Sequence, residues 1–230
     1  MKQSSLKLAT IILFGVLGLT GCLSSNSNAE STEQAKATST APTFIEGKHY
    51  VDIFPEMNTD AEKGKIEVIE LFWLGCPHCY ALEPTIKEFI KNKPDDVEFK
   101  QVPAVLNPQW AFHAKAFYAA KALDPTNQHH LIDKLFDEIH KKHNRLNTPE
   151  KLEKFFTEQG YSKAKFNNAL HSMAVSAAMS HANTISTESQ ATAVPTLIIN
   201  GKYRTSAYMA GGEENLIKVM NMLIEKERKQ

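Results

Sequence analysis

The feature that most constrains this chain is a pair of cysteines, Cys76 and Cys79, placed between a strand-like segment and a helix-like segment. Residues 66–73 read Ile-Glu-Val-Ile-Glu-Leu-Phe-Trp, and their β-branched and aromatic side chains predict a buried strand. Pro77 suits the first position of a helix, where the backbone needs no amide hydrogen. The spacing therefore predicts both cysteines at a helix N-terminus, with free amides directed toward the Cys76 sulfur.

Downstream segments extend this pattern into an alternation of strands and helices. Residues 97–102 predict a strand parallel to the first one and connected to it through the cysteine-bearing helix. Residues 196–199 predict another strand, and Asn200-Gly201 predicts a hairpin turn into a return strand. Residues 213–223 then predict a final amphipathic helix. The fold class predicted from these elements is α/β.

The stretch between about residues 107 and 186 carries helical signals. Thr148 followed by Pro149 is typical of a helix start, and Gly160 is typical of a helix end. Ser162 predicts the start of the next helix, in which a set of residues recurs every three or four positions. That helix is expected to bury one face, formed by Phe166, Leu170, Met173, Ala177, His181 and Ile185.

Composition excludes several classes of protein. With 42% hydrophobic residues among 230, the chain can form a folded core, so fully disordered and fibrous classes are ruled out. Lys and Arg together number 26, as do Asp and Glu, so no basic excess exists for binding nucleic acid. Its three cysteines, at positions 22, 76 and 79, are too few for a disulfide-stapled scaffold.

The N-terminus has the pattern of an export signal. Lys2 and Lys7 precede twelve mostly apolar residues, 8–19, which is well short of the roughly 20 needed for a membrane-spanning helix. The sequence Leu-Thr-Gly-Cys that ends at Cys22 resembles a bacterial lipoprotein cleavage box. We therefore expect residues 1–21 to be a lipoprotein signal peptide. An ordinary signal peptide and an uncleaved N-terminal anchor are the open alternatives.

The segment after Cys22 is predicted to be a disordered tether. Residues 22–43 are rich in Ser, Asn, Thr, Ala and Gln and contain few large apolar side chains, so they cannot bury enough surface to fold. A lipid on Cys22 would then hold the folded part of the protein near a membrane. The tether carries no chemistry of its own.

Several motifs together resemble the DsbA family of thiol:disulfide interchange proteins. They are Cys76-Pro77-His78-Cys79, Ala193-Val194-Pro195, Asn200-Gly201-Lys202-Tyr203 and the opening Glu46-Gly47-Lys48-His49-Tyr50. The resemblance implies a thioredoxin-like fold with an inserted helical domain. Residues 44–106 and 187–230 would form the thioredoxin-like domain, and residues 107–186 would form the helical insertion.

The chemistry expected of the dithiol follows from the stability of its thiolate. Helix amides and a partially positive His78 should stabilise the Cys76 thiolate, and with it the reduced protein. Each unit by which the Cys76 pKa lies below the ambient pH makes the disulfide about 30 mV more oxidising. We therefore expect Cys76, Pro77, His78 and Cys79 to form the catalytic site. The disulfide between Cys76 and Cys79 would be donated to substrates, with Cys79 as the buried partner.

Other interpretations of the cysteines are weaker. A structural disulfide would close a loop of only four residues, and a zinc site lacks a second ligand pair at suitable spacing. Four histidines, His129, His130, His140 and His143, could be imagined as metal ligands but are expected to lie on solvated helix faces. No metal and no cofactor is predicted. The related glutathione-linked isomerases remain an alternative that the second cysteine disfavours.

Two further positions are assigned with the help of the family resemblance. An X-Pro bond is the common site for a cis peptide, and the proline of this motif faces the dithiol in thioredoxin-like proteins. A cis Val194–Pro195 bond is therefore expected to expose backbone groups of Val194 to an extended substrate; a trans proline at a strand start is the alternative. Glu70 matches an acidic position of the family and is expected to relay the proton of Cys79, unless it is simply an exposed strand carboxylate.

The predicted function is that of a periplasmic, lipid-anchored oxidoreductase that oxidises cysteine pairs in unfolded or partly folded exported proteins. The resemblance implies reoxidation by a DsbB-like, quinone-linked membrane protein, and a monomer is expected. A disulfide reductase or isomerase is the alternative enzyme, although no room exists before residue 44 for an added dimerisation domain. A redox-inert, chaperone-like binding module is the alternative from a different class.

Overall fold

A computed structural model of the chain describes residues 43–230. The predicted signal peptide 1–21, the lipidation candidate Cys22 and the tether up to residue 42 lie outside the described residues. All statements about structure below refer to the described part.

Five strands and eight helices make up residues 43–230. The strands are β1 (Val51–Asp52), β2 (Ile66–Phe72), β3 (Val97–Pro103), β4 (Thr196–Ile199) and β5 (Tyr203–Thr205). The helices are α1 (Pro77–Asn92), α2 (Pro108–Leu123), α3 (Leu131–His140), α4 (Pro149–Glu158), α5 (Lys163–Leu170), α6 (Met173–Glu188), α7 (Ala207–Ala210) and α8 (Glu213–Glu227).

The strands form one mixed sheet in the order β1-β5-β4-β2-β3. Strands β2 and β3 are parallel and are connected by α1, which confirms the predicted βαβ unit. Strands β4 and β5 form the antiparallel hairpin predicted around Asn200-Gly201, and β4 also pairs antiparallel with β2. The short strand β1, which pairs with β5, is too brief to be recognised from the sequence.

Helices cover both faces of the sheet. Helices α1 and α8 pack on one face, where Leu82 and Leu223 contact β2 and β4 in a shared core. Helix α6 covers the other face through Ala182 and Ile185. Helices α2 to α4 form a third core that contains both Cys76 and Cys79. The dithiol therefore lies at the junction between the sheet and the helices that separate β3 from β4.

Side-chain caps define several helix starts in the α2–α6 region. The Thr148 hydroxyl accepts a hydrogen bond from the Lys151 amide at 3.3 Å, and Pro149 occupies the first turn of α4. The Ser162 hydroxyl caps α5 in the same way, at 3.2 Å from the Lys165 amide. Both predicted helix starts are confirmed.

The single long helix predicted after Ser162 is wrong. The chain breaks after Leu170, and the Ser172 hydroxyl accepts a hydrogen bond from the Val175 amide to start a separate helix, α6. A serine satisfies free amides well at a helix start, so it favours a new N-terminus over continuation. As a result Met173 is 90% exposed. The predicted buried positions Ala177 and His181 are exposed too, whereas Val175, Ala182 and Ile185 are buried.

Among residues 43–230, no helix combines the length and the apolar character needed to cross a membrane.

Candidate active site

The two cysteines sit where β2 gives way to α1. Cys76 is the N-cap residue of α1, with an extended backbone, and Pro77 occupies the first turn. The Cys76 amide donates to the Trp73 carbonyl at 2.9 Å, which closes the turn, and the Tyr80 amide donates to the Cys76 carbonyl at 3.0 Å. The predicted position of the dithiol at a helix N-terminus is confirmed.

The two sulfurs differ in their access to solvent. Both cysteines are free thiols in this structure. Cys76 is 8% exposed, whereas Cys79 is completely buried in the core formed with α2 to α4. Only Cys76 can be reached by a thiol from outside without a rearrangement of the protein.

The pKa values of the two thiols move in opposite directions. The pKa of Cys76 falls from 9.0 to about 6, chiefly because the Cys79 thiol donates a hydrogen bond to its sulfur. Backbone amides of Cys79 and His78 and the charge of His78 act in the same direction, while burial opposes them. The pKa of Cys79 is raised strongly, first by burial and then by its contacts with Cys76. At neutral pH the reduced site therefore holds a Cys76 thiolate beside a Cys79 thiol.

The loop before β4 supplies the second wall of the site. The Val194–Pro195 peptide is cis, as expected. The Cys76 thiol lies 3.6 Å from the Val194 carbonyl oxygen, which places this loop directly against the reactive sulfur. The loop and the dithiol turn, 118 positions apart in the chain, thus form one site.

An apolar groove of about 350 Å³ continues from this loop. Its walls include His78 and Leu82 of α1, Val194 and Pro195 of the loop, and Ala207 and Tyr208 of α7. We call it the Tyr208 groove, because the Tyr208 side chain is 95% exposed at its edge. No local sequence signal marks the part contributed by α7, since a four-residue helix has no periodicity to detect.

Glu70 is buried rather than exposed. It lies on β2 beside Gln101 of β3, and its carboxylate accepts a hydrogen bond of 2.9 Å from the Gln101 side chain. The same Gln101 amide nitrogen donates to Glu83 of α1 at 2.8 Å, so one neutral group bridges two buried carboxyls. Burial, and next the charge of Glu83, raise the pKa of Glu70 to about 8. Glu67, by contrast, has the ammonium of Lys100 at 2.6 Å.

Glu70 and the two cysteines affect each other's pKa values. The carboxylate of Glu70 is among the charges that raise the pKa of Cys79, and Cys76 in turn raises the pKa of Glu70. A carboxyl with a pKa of about 8 can exchange a proton near neutral pH. The alternative of an exposed strand carboxylate is excluded.

The four histidines do not lie on solvated helix faces as predicted. His129, His130 and His143 are exposed, but they lie outside the helices. His140, at the end of α3, is not on a solvated face: its Nε2 lies 2.8 Å from the Leu74 carbonyl, and its ring stacks on Tyr80 at 4.7 Å. Long-range packing against the dithiol turn, which leaves no trace in local sequence, places it there.

Within the described residues, no three His, Cys, Asp or Glu side chains come together as a group that could hold a metal ion. Cys22 lies outside these residues.

A mixed sheet, a Cys-x-x-Cys pair at a helix N-terminus and an opposing cis-proline loop define a thioredoxin-like dithiol oxidoreductase. Comparison with known proteins agrees. A family model described as Thioredoxin matches residues 56–218. The thiol:disulfide interchange protein DsbA of Pseudomonas aeruginosa is 39% identical over 188 residues, covering 82% of this chain and 88% of the relative.

A second relative and a solved structure complete the comparison. DsbA of Azotobacter vinelandii is 40% identical over 195 residues, which are 85% of this chain and 89% of that protein. The crystal structure of Pseudomonas aeruginosa DsbA superposes with a TM-score of 0.75, covering 81% of this chain and 95% of the other. The chain belongs to the DsbA family and is a protein disulfide oxidoreductase with a thioredoxin-like fold.

One prediction concerns His78, whose charge is the weakest of the named causes that lower the pKa of Cys76. His78→Gln keeps the backbone amide and removes the charge, so we expect a small rise in the Cys76 pKa and a slightly less oxidising disulfide. Cys79→Ala removes the strongest cause and should give a clearly larger rise. Titration of the thiolate by ultraviolet absorbance measures both variants. An unchanged titration in His78→Gln would show that this charge does not reach the sulfur.

Proposed function

We propose that this protein is a disulfide donor that oxidises cysteine pairs in exported, folding proteins. The observation that carries the proposal is the asymmetry of the dithiol: an accessible Cys76 with a pKa of about 6 beside a buried Cys79 with a raised pKa. A stabilised Cys76 thiolate favours the reduced form of the enzyme. The Cys76–Cys79 disulfide is correspondingly easy to reduce, so the enzyme transfers this disulfide to its substrates.

The proposed reaction has two exchange steps. A substrate thiolate attacks the Cys76 sulfur of the oxidised enzyme, the Cys76–Cys79 bond breaks, and the electron pair leaves on the Cys79 sulfur. A second substrate thiolate then attacks the substrate sulfur of the mixed disulfide, and Cys76 leaves as a thiolate. The substrate gains one disulfide and loses two electrons, which reduce the enzyme.

Glu70 is proposed to serve the first of these steps. The departing Cys79 thiolate is buried, so it needs a proton from inside the protein. Glu70 is buried as well, and with a pKa of about 8 it is largely protonated at neutral pH. It can therefore give up a proton to Cys79 and later recover one through exchange with solvent.

The substrate is proposed to be an extended polypeptide. The Val194 carbonyl borders the Cys76 sulfur, and the apolar Tyr208 groove begins at the same loop. Backbone groups of this loop can pair with any extended chain, and an apolar groove accepts varied side chains. These features suit unfolded proteins with different sequences better than one defined small molecule.

The proposal is tested with the oxidised enzyme and a reduced, unfolded substrate protein that contains one cysteine pair. We expect one equivalent of enzyme to convert about one equivalent of substrate to its disulfide form, with two new thiols on the enzyme. The reduced enzyme is the matched control and should convert none. A reductase would instead remain oxidised in the presence of the substrate thiols, and a redox-inert binding module would leave the thiol count unchanged.

The site of action is also a proposal. The signal-like residues 1–21 and the lipoprotein box ending at Cys22 support a periplasmic protein held at a membrane by a lipid on Cys22. The polar segment 22–43 would be the tether. A DsbB-like membrane protein linked to quinone is proposed to restore the disulfide, and the enzyme is proposed to act as a monomer.

The domain division is proposed on the same basis. Residues 44–106 and 187–230 would form the thioredoxin-like domain, and 107–186 the helical insertion. The order of elements supports this division, because α2 to α6 all fall between strands β3 and β4 of one sheet.

A test of the anchor separates location from catalysis. The Cys22→Ala protein, exported with a cleavable signal, should be released from the membrane and should keep full activity in vitro, because Cys22 is no part of the dithiol site. Metabolic labelling with radioactive palmitate should mark the wild type and leave this variant unmarked. A variant that stays membrane-bound would instead point to residues 8–19 as an uncleaved anchor.

A further inference from the structure

A second cleft opens beside the dithiol and is separate from the Tyr208 groove. It has a volume of about 500 Å³ and shares no lining residue with that groove. Its walls include Gly75 and Pro77 from the dithiol turn. The other lining residues are Trp73, Gln109, Ile139, the three histidines His113, His140 and His143, and Arg145. We call it the histidine cleft.

Among the described residues that line this cleft, Arg145 is the one with a permanent charge. None of the lining residues in the described chain is an aspartate or a glutamate. Arg145 is exposed, and within residues 43–230 no carboxylate lies within ion-pair distance of its guanidinium. A guanidinium is permanently charged and presents paired donors that match a carboxylate. The cleft is therefore suited to an anionic group and repels a cationic one.

Hydrogen bonds to backbone carbonyls fix two of the histidines that line the cleft. His113 is only 2% exposed, and its Nε2 lies 3.1 Å from the Arg145 carbonyl, which ties the Arg145 loop to α2. Burial lowers the pKa of His113, so this ring is neutral and Nε2 carries the donated hydrogen. Its buried Nδ1 has no partner in the described part of the chain. His140 is fixed in turn by the Leu74 carbonyl.

The cleft is also within reach of a bound substrate. A substrate cysteine linked to Cys76 lies next to Pro77, which borders the cleft. An extended chain advances about 3.3 Å per residue, so side chains one to three positions from the substrate cysteine can enter it. We propose that the histidine cleft binds an aspartate or glutamate side chain of the substrate close to the reactive cysteine. This inference rests on the proposed disulfide-donor function and adds a substrate preference to it.

The test uses two-cysteine peptides with acetylated and amidated ends, so that side chains carry the only carboxylates. Each pair of peptides differs in a Glu or a Gln at one position, one to three residues before or after the first cysteine. A nearby Glu also alters the intrinsic reactivity of the cysteine. Each rate with the enzyme is therefore divided by the rate with hydroxyethyl disulfide, a small neutral oxidant.

At the position that reaches the cleft we expect the Glu peptide to react about threefold faster than its Gln partner after this correction, the size typical of a charge pair near a surface. High salt should reduce the advantage. Arg145→Gln should abolish it. Lys142→Gln is the matched control: it removes an exposed charge close by in the chain that pairs with Glu138 and does not line the cleft, and it should keep the advantage.

The outcomes separate this inference from the proposed function. Normal oxidation of the Gln peptides with no Glu advantage at any position would overturn the cleft assignment and leave the donor function intact. An advantage lost equally in Arg145→Gln and Lys142→Gln would also overturn it, because the effect would then come from general charge. Failure to oxidise any peptide would overturn both. The unfolding midpoints of the two variants confirm that their folds are intact.

Discussion

Replacing Cys76 with alanine is expected to reduce substrate oxidation to the uncatalysed background, whereas Cys79→Ala is expected to hold substrates as stable mixed disulfides. The reason is access: Cys76 is the sulfur that an external thiol can reach, and Cys79 is completely buried in the core. Without Cys79, residues 43–230 contain no second thiol to release a substrate bound at Cys76. Non-reducing gel electrophoresis of the two variants after exposure to cell proteins, with and without dithiothreitol, measures the difference.

The double variant without either cysteine is the control and should form no mixed disulfide. Both single variants should unfold cooperatively at denaturant concentrations near that of the reduced wild type, which shows that loss of activity is not loss of fold. The reverse pattern, with substrates held by Cys76→Ala and not by Cys79→Ala, would reassign the nucleophile to Cys79.

The second large effect is on stability and its pH dependence. The pKa of Cys76 is 9.0 when unperturbed and about 6 in the folded, reduced protein. Between these values the unfolded chain binds more protons than the folded one, so stability rises with pH; the contribution is complete above pH 9 and is lost as pH falls through 6. From pH 5 to pH 8 the reduced form should gain about 2 to 3 kcal/mol relative to the oxidised form.

Urea unfolding of both redox forms at the two pH values measures this gain. The oxidised form is needed as the reference because Glu70 has the opposite effect. Its pKa is raised to about 8, so it contributes stability at low pH that is lost as pH rises through 8. A difference between the two forms that does not change with pH would contradict a stabilised Cys76 thiolate.

Much of the site could be predicted from the sequence because its signals are local. The strand 66–72, the N-terminal proline of α1 and the hairpin at Asn200-Gly201 each depend on neighbouring residues, and the structure has them where they were expected. The cis peptide at Pro195 belongs to a motif that the family resemblance supplied. Local chemistry thus placed the dithiol, and the family resemblance placed its opposing loop.

What the sequence did not reveal depends on contacts between distant segments. Gln101 bridges Glu70 and Glu83 because parallel pairing places β3 beside β2, and no sequence spacing announces that contact. Polar neighbours in the sequence predict a solvated His140, yet its ring contacts the dithiol turn. The break before Ser172 was missed because the helical periodicity continued across it, while a single side-chain cap decided the structure.

The largest cause of the low Cys76 pKa is one that the sequence does not show. Helix amides and His78 lower this pKa as the sequence predicts, but the hydrogen bond from the Cys79 thiol is the largest cause. That bond depends on the side-chain geometry within the turn. The two cysteines therefore act as a unit in which the Cys79 thiol stabilises the Cys76 thiolate.

The most direct test of a stabilised Cys76 thiolate is the pH dependence of the reduction potential, measured by equilibration with glutathione between pH 5 and pH 8. Below the Cys76 pKa of about 6, reduction takes up two protons with two electrons, and the potential should fall by about 59 mV per pH unit. Above that pKa one proton is taken up, and the slope should halve to about 30 mV per pH unit. A break near pH 6 is the predicted result. A constant slope of about 59 mV per unit up to pH 8 would show that both thiols stay protonated, and would contradict the account.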